Sequence, residues 1–157
     1  MALPPPWNTV AVDPNHYRFR SRWHLHATPA VVYAALESVD RYPAWWPEIR
    51  TVRQLDDTSG EIVCRAWLPY QLRFTVRQVR RDPVALVLES SMTGDLEGTS
   101  CWTITETADG SEAVFDEEVV ANKALLRRLA LVGRPVFKVN HTLMMRHGYR
   151  GLADHLR

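Results

Sequence analysis

Arg134-Pro-Val-Phe-Lys-Val-Asn-His-Thr-Leu-Met-Met-Arg-His-Gly-Tyr-Arg-Gly-Leu-Ala-Asp-His-Leu-Arg157 closes the chain, and its periodicity decides how everything before it must be arranged. At helical spacing Phe137, Met144, Met145 and Leu152 fall on one side, and Val139, Arg146, Arg150 and Arg157 on the other. His141 and Gly148 interrupt the apolar side, with Asn140 nearer its edge. A helix that only sealed a core would carry bulky aliphatics there, because missing methylenes leave destabilising voids. A small residue and a titratable one instead point to a helix that covers a space.

Working outward, the segment Tyr17 to His26 alternates, with Tyr17, Phe19, Ser21, Trp23 and Leu25 on one face and Arg18, Arg20, Arg22, His24 and His26 on the other. That is the pattern of a half-buried antiparallel strand. Thr28-Pro29 supplies an N-cap and a first-turn proline, and the stripe Val32, Ala35, Leu36, Val39 predicts a short helix to about Ser38. Tyr42-Pro-Ala-Trp-Trp-Pro47 breaks it and leaves its aromatics in a loop. From Ile49 onward, turn chemistry at Asp56–Gly60, Leu68–Tyr70, Arg81–Pro83, Thr93–Asp95 and Ala108–Gly110 predicts strands over 49–55, 61–67, 71–80, 84–91, 96–106 and 112–120. A helical patch over Asn122 to Val132 is interrupted at Gly133-Arg134-Pro135 before the long helix. The order predicts an α+β grip: a seven-stranded curved antiparallel sheet wrapped around the C-terminal helix, with short helical pieces after the first strand. Gly148 and Gly151 are expected on the helix side nearest the sheet, where backbones approach closely.

At 157 residues the chain reads as one domain, able to bury a core without staples. Residues 1–14 hold four of the ten prolines and read as an extended arm, leaving 15–157 as a single ligand-binding domain. Nineteen basic side chains against eighteen acidic ones give a net charge of +1, with no overall field for nucleic acid or anionic lipid. Neither a secretory leader nor a span of about 18 apolar residues is visible. The two cysteines, Cys64 and Cys101, lack metal or disulfide spacing and read as buried, reduced thiols of a cytoplasmic protein. Serine-nucleophile, P-loop and dinucleotide fingerprints are missing, so no cofactor is expected. His24-Leu-His26 shares its face with three arginines that would repel a cation, so no metal is expected either.

Four segments resemble the START/Bet v 1-like (SRPBCC) superfamily, and within it the polyketide cyclase/dehydrase group. They are Ala27-Thr-Pro-Ala-Val-Val-Tyr-Ala-Ala-Leu, Tyr42-Pro-Ala-Trp-Trp-Pro-Glu-Ile, Gly94-Asp-Leu-Glu-Gly-Thr-Ser-Cys-Trp and Asn140-His-Thr-Leu-Met-Met-Arg-His-Gly-Tyr-Arg-Gly-Leu. The resemblance extends from about Tyr17 to Arg157 and implies a helix-grip fold with a deep cavity for hydrophobic ligands. It transfers no catalytic triad, since members range from aromatase/cyclases to lipid carriers, hormone receptors, quinone binders and co-chaperones.

With an inward face implied, strand alternation gives candidate cavity residues. Ile62, Cys64, Ala66 and Leu68 share one face, as do Leu72, Phe74, Val76 and Gln78, and likewise Leu96, Gly98, Ser100, Trp102 and Ile104. Ligand contacts are expected from Trp46, Cys64, Phe74, Met92, Trp102, Phe115, Phe137, Met144 and Met145, although the same side chains could simply fill a core. Glu117 is the sharpest polar candidate. It shares a face with Ala113, Phe115 and Val119, and inside a low-dielectric cavity its raised pKa would suit acid or base work, whereas a one-residue slip would put it in solvent. His141 reads either as a proton donor or ligand anchor, or as a histidine bonded to the sheet. Tyr42, Trp45 and Trp46 read as a lid, which the resemblance places at the cavity mouth, or as a plug that anchors the short helix.

Three functions stay open on these residues. One is binding of a hydrophobic small molecule of lipid, isoprenoid/quinone or aromatic polyketide type. Another is a polyketide aromatase/cyclase-dehydratase using Glu117 and His141. The third is a protein-interaction module built on the aromatic loop and the exposed arginines. Nucleic acid and stable membrane insertion are not expected, and a homodimer is left open.

Overall fold

The computed structural model describes residues 15–65, 71–122, 124–125 and 133–157. The arm over 1–14, cavity candidates Ala66 and Leu68, the turn at Leu68–Tyr70 and most of the helical patch over 122–132 lie outside the described residues. Strand β1 (His16–Leu25) leads into helix α1 (Pro29–Glu37) and a 3-10 segment (Val39–Ala44). Then come β2 (Ile49–Gln54), β3 (Ser59–Cys64), β4 (Leu72–Asp82), β5 (Val87–Gly94), β6 (Leu96–Thr107), β7 (Gly110–Ala121) and helix α2 (Gly133–His155). The strands form one seven-stranded sheet in the order β1-β7-β6-β5-β4-β3-β2, every neighbour antiparallel. The predicted α+β grip is therefore the architecture found.

Local chemistry accounts for the boundaries. Pro29 opens α1 with its ring in the first turn, and the Thr28 carbonyl accepts from Val32 N at 3.1 Å, but the Thr28 side chain makes no cap bond. Val32, Tyr33 and Leu36 are the buried face. Ser38 ends the helix, its hydroxyl donating to the Ala34 carbonyl at 3.0 Å. Tyr42-Pro-Ala is a 3-10 turn rather than open loop, tied back by the Tyr42 hydroxyl donating to the Leu36 carbonyl at 2.5 Å. The strand predicted from 84 begins only at Val87. The Asp82 carboxylate accepts from Val84 N at 3.1 Å and Ala85 N at 2.8 Å, and Leu86 takes a positive φ of 58°, which turns the chain before pairing resumes. Val84, 93% exposed, is the outward tip of that turn.

Two bulges, between Ile49 and Thr51 and between Gln78 and Arg80, bend the sheet so that its inner face curves around α2. Trp23 sits at the centre of the core, its ring 5.5 Å from Trp46 and 4.7 Å from Trp102. Close approach at the end of α2 is real, but its partner differs from the expected one. A Cβ on Gly148 would strike the Trp46 indole, and one on Gly151 the Trp45 carbonyl. Both glycines back onto the aromatic segment instead of the sheet, because the 3-10 turn inserts Trp45 and Trp46 between α2 and the strands. Among the described residues no helix is long and apolar enough to cross a membrane.

Candidate functional site

Curvature leaves a cavity of about 450 Å³ between the inner sheet face and α2. Its wall is built by period-two alternation. Phe74 and Val76 come from β4, Leu88 from β5, Trp102 from β6 and Phe115 from β7, with Phe137, Met144 and Met145 facing them from α2. Trp46 and Cys64 are part of the same apolar lining, to which Leu36, Ile49, Ile62 and Leu96 also contribute. Of the residues predicted to touch ligand, Met92 alone is not on the cavity surface. It shares the inward face of β5 with Leu88, but it is 5% exposed and belongs to the packed core opposite Gly98.

Trp45 and Trp46 are both buried, their rings 5.5 Å apart and stacked. The Trp46 Nε1–H donates to the Met144 carbonyl at 2.9 Å, one helical turn before Gly148. Both rings are buried as in a plug, but the helix they clamp is α2 and not the short helix expected, and Trp46 presents the remainder of its ring to the cavity. Glu48, two residues further on, is buried and bonded to His147 Nδ1, which adds a polar latch beside the aromatic clamp.

Glu117 projects inward. It lies opposite Phe19 on β1 and Ser100 on β6, its side chain is 11% exposed, and it lines the cavity. Burial without a compensating cation raises its carboxyl to a pKa of about 7. His141, on α2, brings Nε2 to 3.8 Å from Glu117 Oε1, too long for a hydrogen bond and short enough that one ligand atom can touch both. Its ring stacks on Phe19, centroids 3.7 Å apart and planes 10° from parallel, and burial lowers its pKa to about 4. Near neutral pH the cavity therefore holds a carboxyl close to half-protonated and an uncharged imidazole. The Cys64 thiol is pushed up to about 12, first by burial and then by the charges of Glu117, Asp95 and Glu48, so it is no nucleophile. Cys101 is only partly buried, against the expectation for both cysteines, because it alternates with Trp102 to the outer face.

Several polar lining residues lie outside the cavity face expected from the sequence, among them Asn140, Ser59, Ser90, Arg81 and Glu89. Asn140 is 4% exposed and lines the cavity, although helical spacing set it at the edge of the stripe. Ser90 and Ser59 also face the space. For Ser90 the signal was present, since alternation from Leu88 carries it inward. On the outer face the arginines of β1 are not free. Arg18, Arg20 and Arg22 pair with Glu118, Asp116 and Glu112 of β7, and His24 lies 3.5 Å from Glu112. Among the described residues no cluster of three or more metal donors occurs.

The sequence model of the family described as polyketide cyclase / dehydrase and lipid transport matches residues 25–141. No curated protein matches the sequence. Among solved structures, a di-domain ARO/CYC, BexL from the BE-7585A biosynthetic pathway, superposes with a TM-score of 0.71 at 16% identity, covering 94% of this chain and 52% of that one. The chain thus spans about half the length of that di-domain protein. The Zhui aromatase/cyclase of Streptomyces sp. R1128 gives a TM-score of 0.71 at 12% identity, over 90% of this chain and 92% of that one. A START superfamily protein from Mycobacterium smegmatis gives 0.66 at 12% identity, over 90% and 96%. At such identities the likeness is one of fold.

Proposed function

The chain belongs to the polyketide cyclase / dehydrase and lipid transport family, and from that premise we propose that it holds a hydrophobic small molecule, of lipid, isoprenoid/quinone or aromatic polyketide type, in the cavity between sheet and α2. The observation that carries this reading is the cavity itself. Its volume of about 450 Å³ falls within the roughly 300–1,000 Å³ of small-molecule sites, and an apolar, aromatic wall built by Phe74, Leu88, Trp102, Phe115, Phe137 and Met144 shares it with polar and charged side chains, among them Asp56, Arg81 and Glu89. Trp46 and Trp102 line it, so a bound chromophore should quench their fluorescence saturably. Native mass spectrometry and thermal-shift screening against fatty acids, quinones and aromatic polyketides test the reading. A set in which no compound binds, quenches or stabilises sinks it.

A second reading, an aromatase/cyclase-dehydratase, draws on the 3.8 Å approach of Glu117 and His141 and on their opposed pKa shifts. A carboxyl poised near pH 7 is suited to take a proton from a ligand carbon α to a carbonyl, while a neutral imidazole donates a hydrogen bond to that carbonyl oxygen as charge develops. The enolate carbon then attacks a second carbonyl, and Glu117 returns its proton to the new alkoxide. In dehydration the carboxylate takes the next α-proton and delivers it to the departing hydroxyl, which leaves as water. Glu117→Gln separates the readings. An enzyme keeps ligand affinity and loses turnover, whereas a carrier shows no turnover in either form.

A further inference from the structure

The cavity face of the sheet is not evenly apolar. Gln78 lies opposite Ser90 between β4 and β5, Ser90 opposite Ser100 between β5 and β6, and Ser100 opposite Glu117 between β6 and β7. These polar residues stand side by side in one transverse row, and all of them line the cavity. The neighbouring row on one side is Val76, Met92, Gly98 and Val119, and on the other Leu88, Trp102 and Phe115, with Arg81 opposite Leu88 at its β4 end. Among the described residues, no side chain or backbone group hydrogen-bonds the side chains of Gln78, Ser90 or Ser100.

On β6 and β7 Ser100 and Glu117 are the polar residues that line the cavity, and pairing with Gln78 and Ser90 sets them at one level across four strands. Neighbouring strands are about 4.8 Å apart, so the row presents hydrogen-bonding groups at ~5 Å steps over ~15 Å. Serine hydroxyls and a glutamine amide both donate and accept, so they accommodate carbonyl, phenol or hydroxyl oxygens alike. Covering them with a bare hydrocarbon would leave them dry and unpaired, at a cost a fatty or isoprenoid tail cannot offset.

We propose that Gln78, Ser90 and Ser100, in line with Glu117, form a specificity subsite for a flat, largely apolar ligand that carries two or more oxygen functions along one edge, about one strand spacing apart. The inference rests on the cavity-binding reading above and narrows it from hydrophobic molecules in general to edge-oxygenated planar ones.

Isomeric probes test it. In 1,8-dihydroxyanthraquinone the hydroxyl oxygens flank one edge at about one strand spacing, ~5 Å. In 2,6-dihydroxyanthraquinone the same atoms sit at opposite ends, and anthracene has the ring system without oxygen. Equilibrium dialysis of the full chain should show the 1,8 isomer bound ~10-fold more tightly than the 2,6 isomer, the worth of one or two net hydrogen bonds. In Ser90→Ala/Ser100→Ala that preference should fall to ~2-fold while anthracene affinity is unchanged. Gln78→Leu, checked like the double variant for a native melting transition, provides an independent reduction. Equal affinity of wild type for the two isomers, or a preference that survives both variants, overturns the subsite while anthracene binding leaves the cavity reading intact. Failure of all three probes to bind overturns both.

Discussion

Glu117 on β7 and His141 on α2 face each other with Oε1 and Nε2 3.8 Å apart, and burial drives their pKa values in opposite directions, to about 7 and about 4. The folded chain holds the Glu117 proton more tightly than the unfolded chain does, so this group's contribution to stability is lost as pH rises from 4.5 through about 7. It holds the His141 proton less tightly, so that contribution is lost as pH falls from 6.5 through about 4. In the wild-type chain the two slopes oppose each other where they overlap. Glu117→Gln should therefore gain stability relative to wild type as pH rises across pH 4.5–7, and His141→Phe should gain it as pH falls below 6.5, each by on the order of 2 kcal/mol. Urea midpoints across that range measure both, and variant profiles parallel to wild type would contradict the burial of the pair.

Gly148 and Gly151 give a prediction whose sign is informative. In an exposed helix glycine to alanine stabilises by ~1 kcal/mol. Here the added methyl meets the Trp46 indole or the Trp45 carbonyl, neither of which can retreat from the packed core. Gly148→Ala and Gly151→Ala should each destabilise by ~1–3 kcal/mol, read as a lowered urea midpoint at constant m-value. A stabilised variant would mean that the aromatic clamp is absent.

Glu48 and His147 form the polar latch beside that clamp. Glu48 is 7% exposed, and its second carboxylate oxygen has no hydrogen-bond partner. Removing the imidazole strands a buried charge, while Glu48→Gln removes the charge and keeps an acceptor for the ring. His147→Ala should therefore cost more stability than Glu48→Gln, ~1–2 kcal/mol against less than ~1, the former held down by the partial exposure of His147. Equal costs in thermal denaturation would show that the latch has no electrostatic content.

What the sequence disclosed tracks how local each signal was. Strand alternation put Glu117, Trp102 and Phe115 on the inner face, because a period of two leaves only one alternative and the apolar neighbours choose it. His141 was legible as an intruder in an apolar stripe. The partner of Gly148 was not, since the insertion of Trp46 between helix and sheet depends on a 3-10 turn a hundred residues away in sequence. Asn140 was missed because the buried face of α2 extends from Asn140 round to Met145, a wider arc than the apolar residues alone mark out. The polar row across β4 to β7 is invisible strand by strand, because it exists only once registers are known.

The two thiols report on the cavity from opposite sides of the sheet. Cys64 lines the space and is buried, with its pKa pushed up to about 12, so at pH 7.5 almost none of it is thiolate. Cys101 faces outward, is partly buried, and is raised above its ordinary value chiefly by burial. N-ethylmaleimide at pH 7.5 should accordingly label Cys101 first and Cys64 only through opening of the cavity. In a Cys101→Ser background the slow Cys64 reaction isolates that opening, and a saturating cavity ligand should slow it further, by ~10-fold where [ligand] is ten times Kd. The same ligand should leave labelling of Cys101 in Cys64→Ser unchanged, since nothing bound between sheet and α2 touches the outer face. Rapid labelling of Cys64 in the folded chain, or a rate indifferent to a ligand shown to bind, would place that ligand somewhere other than the space Cys64 lines.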